Sequence, residues 1–297
     1  MTAEERTRTT FFFELWRSGA AGILETASTT FLLLISVRWF EAGSTAKGLV
    51  AGSGSLGLLL SPAVVFLVTR AGWRPSTAGG LILGCGAASF LMAAAWPTLP
   101  IFCICCVAAM ASTSAVIPLL THIYQDNYPT HERGRRFSRT IMVRILMAIL
   151  FAKFAGDALS GHLDKFRWLL LVFAGALGLA SFCMWRCPSK PLHDDGGAHP
   201  LHALKFVRED ALFRRTLIVW MLMGFANLMM IPLRVEYLAN PRYSLHLTVA
   251  MIALLTSVIP NMARLVLSPS WGYLFDHMNF FALRITLNAG FALGIAA

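Results

Sequence analysis

The chain carries apolar segments one after another, each long enough to cross a lipid bilayer. A hydrocarbon core about 30 Å thick needs roughly 20 apolar residues of helix. Spans are expected near 18–39, 47–69, 77–96, 98–123, 139–161, 168–187, 214–234 and 247–269, and a ninth begins near Phe280 and is still apolar at Ala297. Inside lipid every backbone polar group needs an internal partner, so such segments fold as helices. The expected fold class is all-α: a polytopic membrane helix bundle of eight complete spans plus part of a ninth. Charged residues make up only 13%, against about 25% in soluble domains.

The net charge of +10 does not point to nucleic acid, because the basic residues sit between spans. The tail before the first span and the loops after spans two, four and six hold most of them, including Arg6, Arg8, Arg70, Arg74, Arg133, Arg135, Arg136, Arg139, Lys190 and Lys205. The alternate loops hold only Arg38, Lys47, Lys165, Arg167, Arg234 and Arg242. Positive charge marks the cytoplasmic side. This predicts a cytoplasmic N-terminus in a multi-pass inner-membrane protein. Met1–Thr10 is charged and no Ala-x-Ala-type site follows the first apolar run, so no cleavable signal is read.

The six cysteines lie within or at the ends of spans. Cys103, Cys105 and Cys106 point in different directions on a helix, which suits packing rather than a metal site. His131-Glu132 and His193-Asp194-Asp195 lack ligand spacing. No metal and no cofactor are expected. Gly52-Ser-Gly54-Ser-Leu-Gly57 matches a dinucleotide fingerprint, but that site requires a strand before it and a helix opening after it. Here it lies inside an apolar helix, where Gly48 and Gly52 are expected to permit close helix packing.

The longest polar stretch, Cys187–His202, contains Pro188, Pro191, Asp194, Asp195, Gly196, Gly197 and Pro200 and reads as a linker. Leu201–Arg215 reads as a basic amphipathic helix at the headgroup surface. The expected organisation is an N-terminal six-helix half at 1–187, a cytoplasmic linker at 188–213 and an incomplete C-terminal half at 214–297. Ser61-Pro62 and Ser268-Pro269 fall late in spans two and eight, and Thr69-Arg70 and Asp276-His277 follow at the two exits. The offset is 207 for both pairs (268 − 61 and 276 − 69), as parallel repeats would give.

Six spans, a long linker and a second related half resemble the major facilitator superfamily. Its cytoplasmic signature runs Gly, three residues, Asp-Arg, one residue, Gly, then basic residues. Arg70, Gly72 and Arg74 fit the first copy, where Val65 and Thr69 replace the Gly and Asp. Gly272 and Asp276 fit the second copy, where His277 and Asn279 replace the Arg and Gly. Tyr128-Pro129 through Arg133-Gly134-Arg135 also resembles a loop of bacterial members. The resemblance implies that Arg70, Gly72, Arg74, Gly272 and Asp276 form a cytoplasmic gating motif. Asp276 would cap the start of span five near Arg136–Arg139, where a carboxylate suits a helix N-terminus. Members usually have twelve spans, so a C-terminally truncated product is expected.

Ionisable residues at membrane depth are costly and mark pathways or relays. Glu25 lies roughly 5 Å from the middle of span one, with Ser18, Gly22 and Thr29 on its face, so it should point into the bundle and be suited to proton exchange. Lys153 and Asp157 are spaced i,i+4, as an internal ion pair or a static tie between halves. Arg144 faces elsewhere on the same span, to snorkel or to meet an anionic substrate group. Asn261 and Arg264 follow Pro260, which can kink span eight and line a cavity. Asn227 lies near the midplane of span seven, for substrate or for an interhelical hydrogen bond.

The resulting expectation is a secondary transporter of a small polar solute working by alternating access, with H+ as candidate coupling ion. Its partners are that small-molecule substrate and the lipid bilayer, without nucleic acid. No enzyme is read, because no catalytic set clusters. The alternatives are a non-transporting membrane sensor or scaffold, or an inactive transporter fragment.

Overall fold

The computed structural model describes residues 1–192 and 203–296. Among them the chain is helical and contains no strand. We label the long helices α1 (Ala3–Arg38), α2 (Ser44–Arg70), α3 (Pro75–Ala95), α4 (Leu99–Asn127), α5 (Thr130–Leu159), α6 (Phe166–Arg186) and α7 (Ala211–Ala239). They are followed by α8 (Val249–Ala253, a π-helical turn at Leu254–Val258, then Ile259–His277) and α9 (Phe280–Ala296).

Seven helices are long and apolar enough to cross a membrane: α1–α4, one over α6, α7 and α8. The expected eight complete spans are not matched by that criterion. α5 falls outside it, with Arg144, Lys153 and Asp157 spread from its middle toward its end. α9 is apolar but only 17 residues long.

Helices and spans also differ at their ends. α1 starts at Ala3, well before its apolar run, because Thr2 and Glu5 form a reciprocal capping box. The Thr2 hydroxyl accepts the Glu5 N–H at 3.2 Å, and the Glu5 carboxylate accepts the Thr2 N–H at 2.8 Å. That pair satisfies two otherwise orphaned donors. α5 starts at Thr130, nine residues (139 − 130) before the expected span. The expected amphipathic helix is split. Ala203–Glu209 is helical, and then Asp210 leaves helical geometry and accepts the N–H groups of Leu212 and Phe213 as N-cap of α7. Residues 193–202, in the middle of the linker, lie outside the described residues.

α3 packs along α6, α2 along α4, and α1 lies against both α5 and α6. The C-terminal part of α1 is the centre of the bundle. Phe31, Leu32, Leu33, Leu34 and Ile35 are at most 1% exposed, so it is apolar and enclosed all round. Phe31 and Phe173 meet Phe151 and Phe90 in one aromatic cluster. By contrast α7 buries only Val235 and Ala239, and its apolar remainder is exposed as a lipid-facing surface would be.

Two predicted packing details change. Gly48 and Gly52 have open space around them, so the expected close approach is not made there. It is made at Gly57, where a Cβ would run into the Ala111 backbone of α4. Gly72, in the loop after α2, has φ +63, a left-handed geometry that follows a helix end and that glycine adopts without strain.

Candidate functional site: a carboxylate shared by two arginines

α1 and α8 are each interrupted by one π-helical turn, Ala27–Phe31 and Leu254–Val258. The sequence supplies a local cause for each. In α1 the hydroxyls of Thr26, Ser28 and Thr29 donate to the carbonyls of Ile23 and Glu25, and such back-bonding loosens a helix. In α8 Pro260 lacks an N–H and crowds the carbonyl four residues earlier. π turns are frequent at functional sites. These two face each other: the Thr30 hydroxyl lies 2.7 Å from that of Thr256 and 2.8 Å from that of Ser257.

Next to the paired turns sits Glu25. Its Oε2 accepts from Arg144 Nε of α5 at 2.7 Å, and its Oε1 accepts from Arg264 NH1 of α8 at 2.7 Å. The carboxylate side chain is 15% exposed, the guanidinium-bearing side chains 45% and 49%. Arg264 also lies 3.4 Å from Asn261 Oδ1, and Asn261 is buried. Thus four expected residues, Glu25, Arg144, Asn261 and Arg264, converge from three helices. The reach of Glu25 to Arg144 depends on Gly22. A Cβ there would overlap the Arg144 carbonyl and stand 3.0 Å from Ala148 N, so α1 and α5 touch backbone to backbone.

A cavity of about 790 Å³ extends from this point. It lies among α1, α2, α4 and α5, running from Met110 and Thr113 to Tyr128 and Arg133 at the end of the bundle that carries the N-terminus. Glu25 and Arg144 line it. Below them Arg17 is closed off by a bidentate pair with Glu14, at 2.7 and 2.6 Å, with the Ser18 hydroxyl on Glu14 and the Tyr124 hydroxyl at 3.4 Å. The Glu14–Arg17 pair was not anticipated. A signal existed: Glu14 is eleven residues before Glu25 (25 − 14), three turns along one face of α1.

Among the described residues, the hydrogen bonds and ion pairs that join α7 and α8 to the first six helices lie at Glu25 and toward the far end. Arg38 donates to the carbonyls of Ala239 and Leu247 at 2.8 and 2.7 Å, occupying an acceptor left open at the end of α7. Lys47 pairs with Glu236 at 2.6 Å. The Ser160 hydroxyl accepts the Ala250 N–H at 3.0 Å, and Gly156 packs against Ala250 and Ala253. Sequence reasoning had given Arg38 and Lys47 no role beyond loop charge.

Other expected residues are not brought together. Lys153 and Asp157 are exposed and form no ion pair among the described residues. Their i,i+4 spacing puts them on one face, but the packed face of α5 carries Ala148, Ala152, Ala155 and Gly156 instead. Asn227 is exposed on the sparsely packed α7, away from the cavity. Arg70, Gly72 and Arg74 are exposed at the end of α2. The side-chain surroundings of Gly272 and Asp276 lie outside the described residues, so the implied latch rests on the resemblance. Arg136, near its implied partner site, is held by Glu132 at 2.6 Å. That hydrogen bond, together with the guanidinium charge, holds the Glu132 carboxyl below its ordinary range. The described His, Cys, Asp and Glu residues form no group that could hold a metal ion, and five of the six cysteines are buried.

Comparison with curated proteins gives no match. The family model described as Major Facilitator Superfamily matches residues 17–297, which spans α1 to α9 and includes every residue of the Glu25 cluster. This multi-pass membrane protein belongs to the Major Facilitator Superfamily.

Proposed function

We propose that the chain is a secondary active transporter that moves a small polar solute across the cytoplasmic membrane by alternating access, with Glu25 as the proton-exchanging group. One observation carries this reading. At the head of a solute-sized cavity, a single carboxylate on α1 bridges an arginine of α5 and an arginine of α8. A group shared in this way couples its own charge state to the relative position of the two halves. Loss of the carboxylate charge on protonation weakens both bridges at once. The halves are proposed to divide as 1–187 and 214–297 about the linker. The N-terminus is proposed to be cytoplasmic from the positive-inside bias. With that orientation the cavity opens to the cytoplasm and the Arg38, Lys47 and Ser160 contacts close the outside.

The test is uptake in proteoliposomes. Under an imposed pH gradient, without ATP, a radiolabelled panel of small solutes should include one that accumulates above protein-free vesicles. If no panel member accumulates under either gradient direction, and cavity accessibility does not change with pH, the non-transporting scaffold becomes the better reading.

The outer contacts make a second prediction. Lys47→Glu should bias the protein toward the outward-open arrangement, and adding Glu236→Lys should restore the balance. A partly exposed pair of this kind is worth about 0.2–1 kcal/mol, or about 1.4- to 5-fold in population. Labelling of a cysteine placed at Thr113 from the two sides of the membrane measures the shift. Equal labelling in the single and double variants would remove Lys47–Glu236 from the outer gate.

A further inference from the structure

The Glu25 cluster holds two positive charges and one negative. Glu25 occupies one N–H of Arg144 and one of Arg264. A guanidinium offers five N–H donors in a rigid fork that fits carboxylate and phosphate. Among the described residues, the terminal nitrogens of Arg144 and the Nε and NH2 of Arg264 have no protein partner, and both side chains are about half exposed. Nearby acids do not supply the missing charge. Glu14 is bound bidentate to Arg17, and Asp157 is exposed on another face of α5. Asp276 is twelve residues beyond Arg264 on α8, about 18 Å along the helix. An uncompensated cation at membrane depth is costly unless something pairs with it.

The cavity wall describes the rest of the occupant. Leu24, Met110, Ile117, Leu120 and Phe137 give it apolar surface, and between them stand hydroxyls from Ser28, Thr113, Ser114, Thr121 and Tyr124 and the amide of Gln125. Such a wall suits an organic body with apolar surface rather than a bare inorganic ion, which would leave the apolar lining unmatched. Arg133 at the mouth adds positive charge where a solute would enter, and charge of one sign draws the opposite sign inward.

We infer that the substrate is an organic anion whose carboxylate or phosphonate head binds Arg144 and Arg264 and whose apolar body fills the cavity between α1 and α4. This inference rests on the transporter reading and narrows its solute. The head competes with Glu25 for the same two guanidiniums, so Glu25 gates the anion's hold on the site.

The experiment is thermal melting of the purified full chain in nanodiscs of phosphatidylcholine, a lipid without net charge. Benzoate and phenylphosphonate should raise the melting temperature, while benzamide and benzylamine, of similar shape, should not. The shift should vanish in Arg144→Gln and in Arg264→Gln and persist in Lys153→Gln. Because either arginine variant could fold poorly, Glu25→Gln serves as the second handle. Freed of its competitor, the site should bind benzoate about tenfold more tightly, in keeping with charge-assisted forks being the strong class of hydrogen bond. Equal effects of benzamide and benzoate, or unchanged benzoate affinity in Glu25→Gln, would overturn the inference. So would stabilisation seen only when phosphatidylglycerol is added, which would make a lipid headgroup the anion. If a neutral or cationic solute accumulates in proteoliposomes and both arginine variants still transport it, the transporter reading survives and this one fails.

Discussion

Glu25→Gln is expected to abolish accumulation driven by a pH gradient, by about tenfold or more, because an intramembrane carboxyl is the group that can carry the proton. Exchange of solute between the two sides of the membrane, which needs no net proton movement, should survive in part. The reasoning starts from the two 2.7 Å contacts. A glutamine carbonyl can still accept from one arginine, but its amide end presents N–H groups to the other. Two guanidiniums are then left without a countercharge. Breaking a fully buried ion pair costs about 3–5 kcal/mol and an exposed one under about 1. Glu25 is enclosed and its partners are half exposed, so about 1–3 kcal/mol of stability should be lost. Glu25→Asp separates the two effects. It keeps the charge and shortens the reach, so one bridge should break while proton dependence is retained. Measured in proteoliposomes, a Glu25→Gln protein that accumulates solute with the same pH dependence as the parent would falsify the assignment of the proton to Glu25.

The membrane class was legible from hydropathy, because lipid imposes that pattern on each segment separately, and the family from a resemblance carried by the six spans, the linker and the partial signatures at Arg70–Arg74 and Gly272–Asp276. The site was legible only in pieces. Glu25 stood out as a carboxylate inside an apolar run beside small polar neighbours, and Arg144, Asn261 and Arg264 stood out one by one. Their meeting was not legible, since it joins positions more than a hundred residues apart on α1, α5 and α8. Lys153 and Asp157 show the reverse limit. Helical spacing says which residues share a face, but not whether that face meets a neighbour or lipid. The same limit explains Gly48 and Gly52, which have the pattern of a packing stripe and no helix against them, while Gly57 takes the contact. The capping box at Thr2 and Glu5 and the N-cap at Asp210 were readable signals. They were passed over because span limits were drawn from hydropathy, and hydropathy is blind to helical turns that continue into water.

Gly22→Val should be as damaging as the loss of the carboxylate, although it removes no charge. At Gly22 the backbones of α1 and α5 touch, so a branched side chain has no space to enter. Nor can a flexible neighbour yield, because the obstructing atoms are the Arg144 carbonyl and the Ala148 amide. Overpacking of this kind costs about 1–3 kcal/mol. Its geometric result matters more. α1 must move off α5 next to Arg144, which stretches the 2.7 Å Glu25–Arg144 contact beyond hydrogen-bond range and leaves Glu25 tied only to Arg264. Melting temperature and transport should therefore fall together, transport by about tenfold, in line with what an ångström-scale misplacement does to a positioned group. Gly48→Ala is the matched control. It also replaces a glycine within a helix, but nothing stands within 4 Å of its would-be Cβ, and the gain in helix propensity is about 1 kcal/mol. It should leave transport unchanged and raise the melting temperature slightly. Equal behaviour of the two variants would mean that α1 and α5 do not hold the carboxylate in place by backbone contact, and that the Glu25–Arg144 pair tolerates a wider separation than its geometry implies.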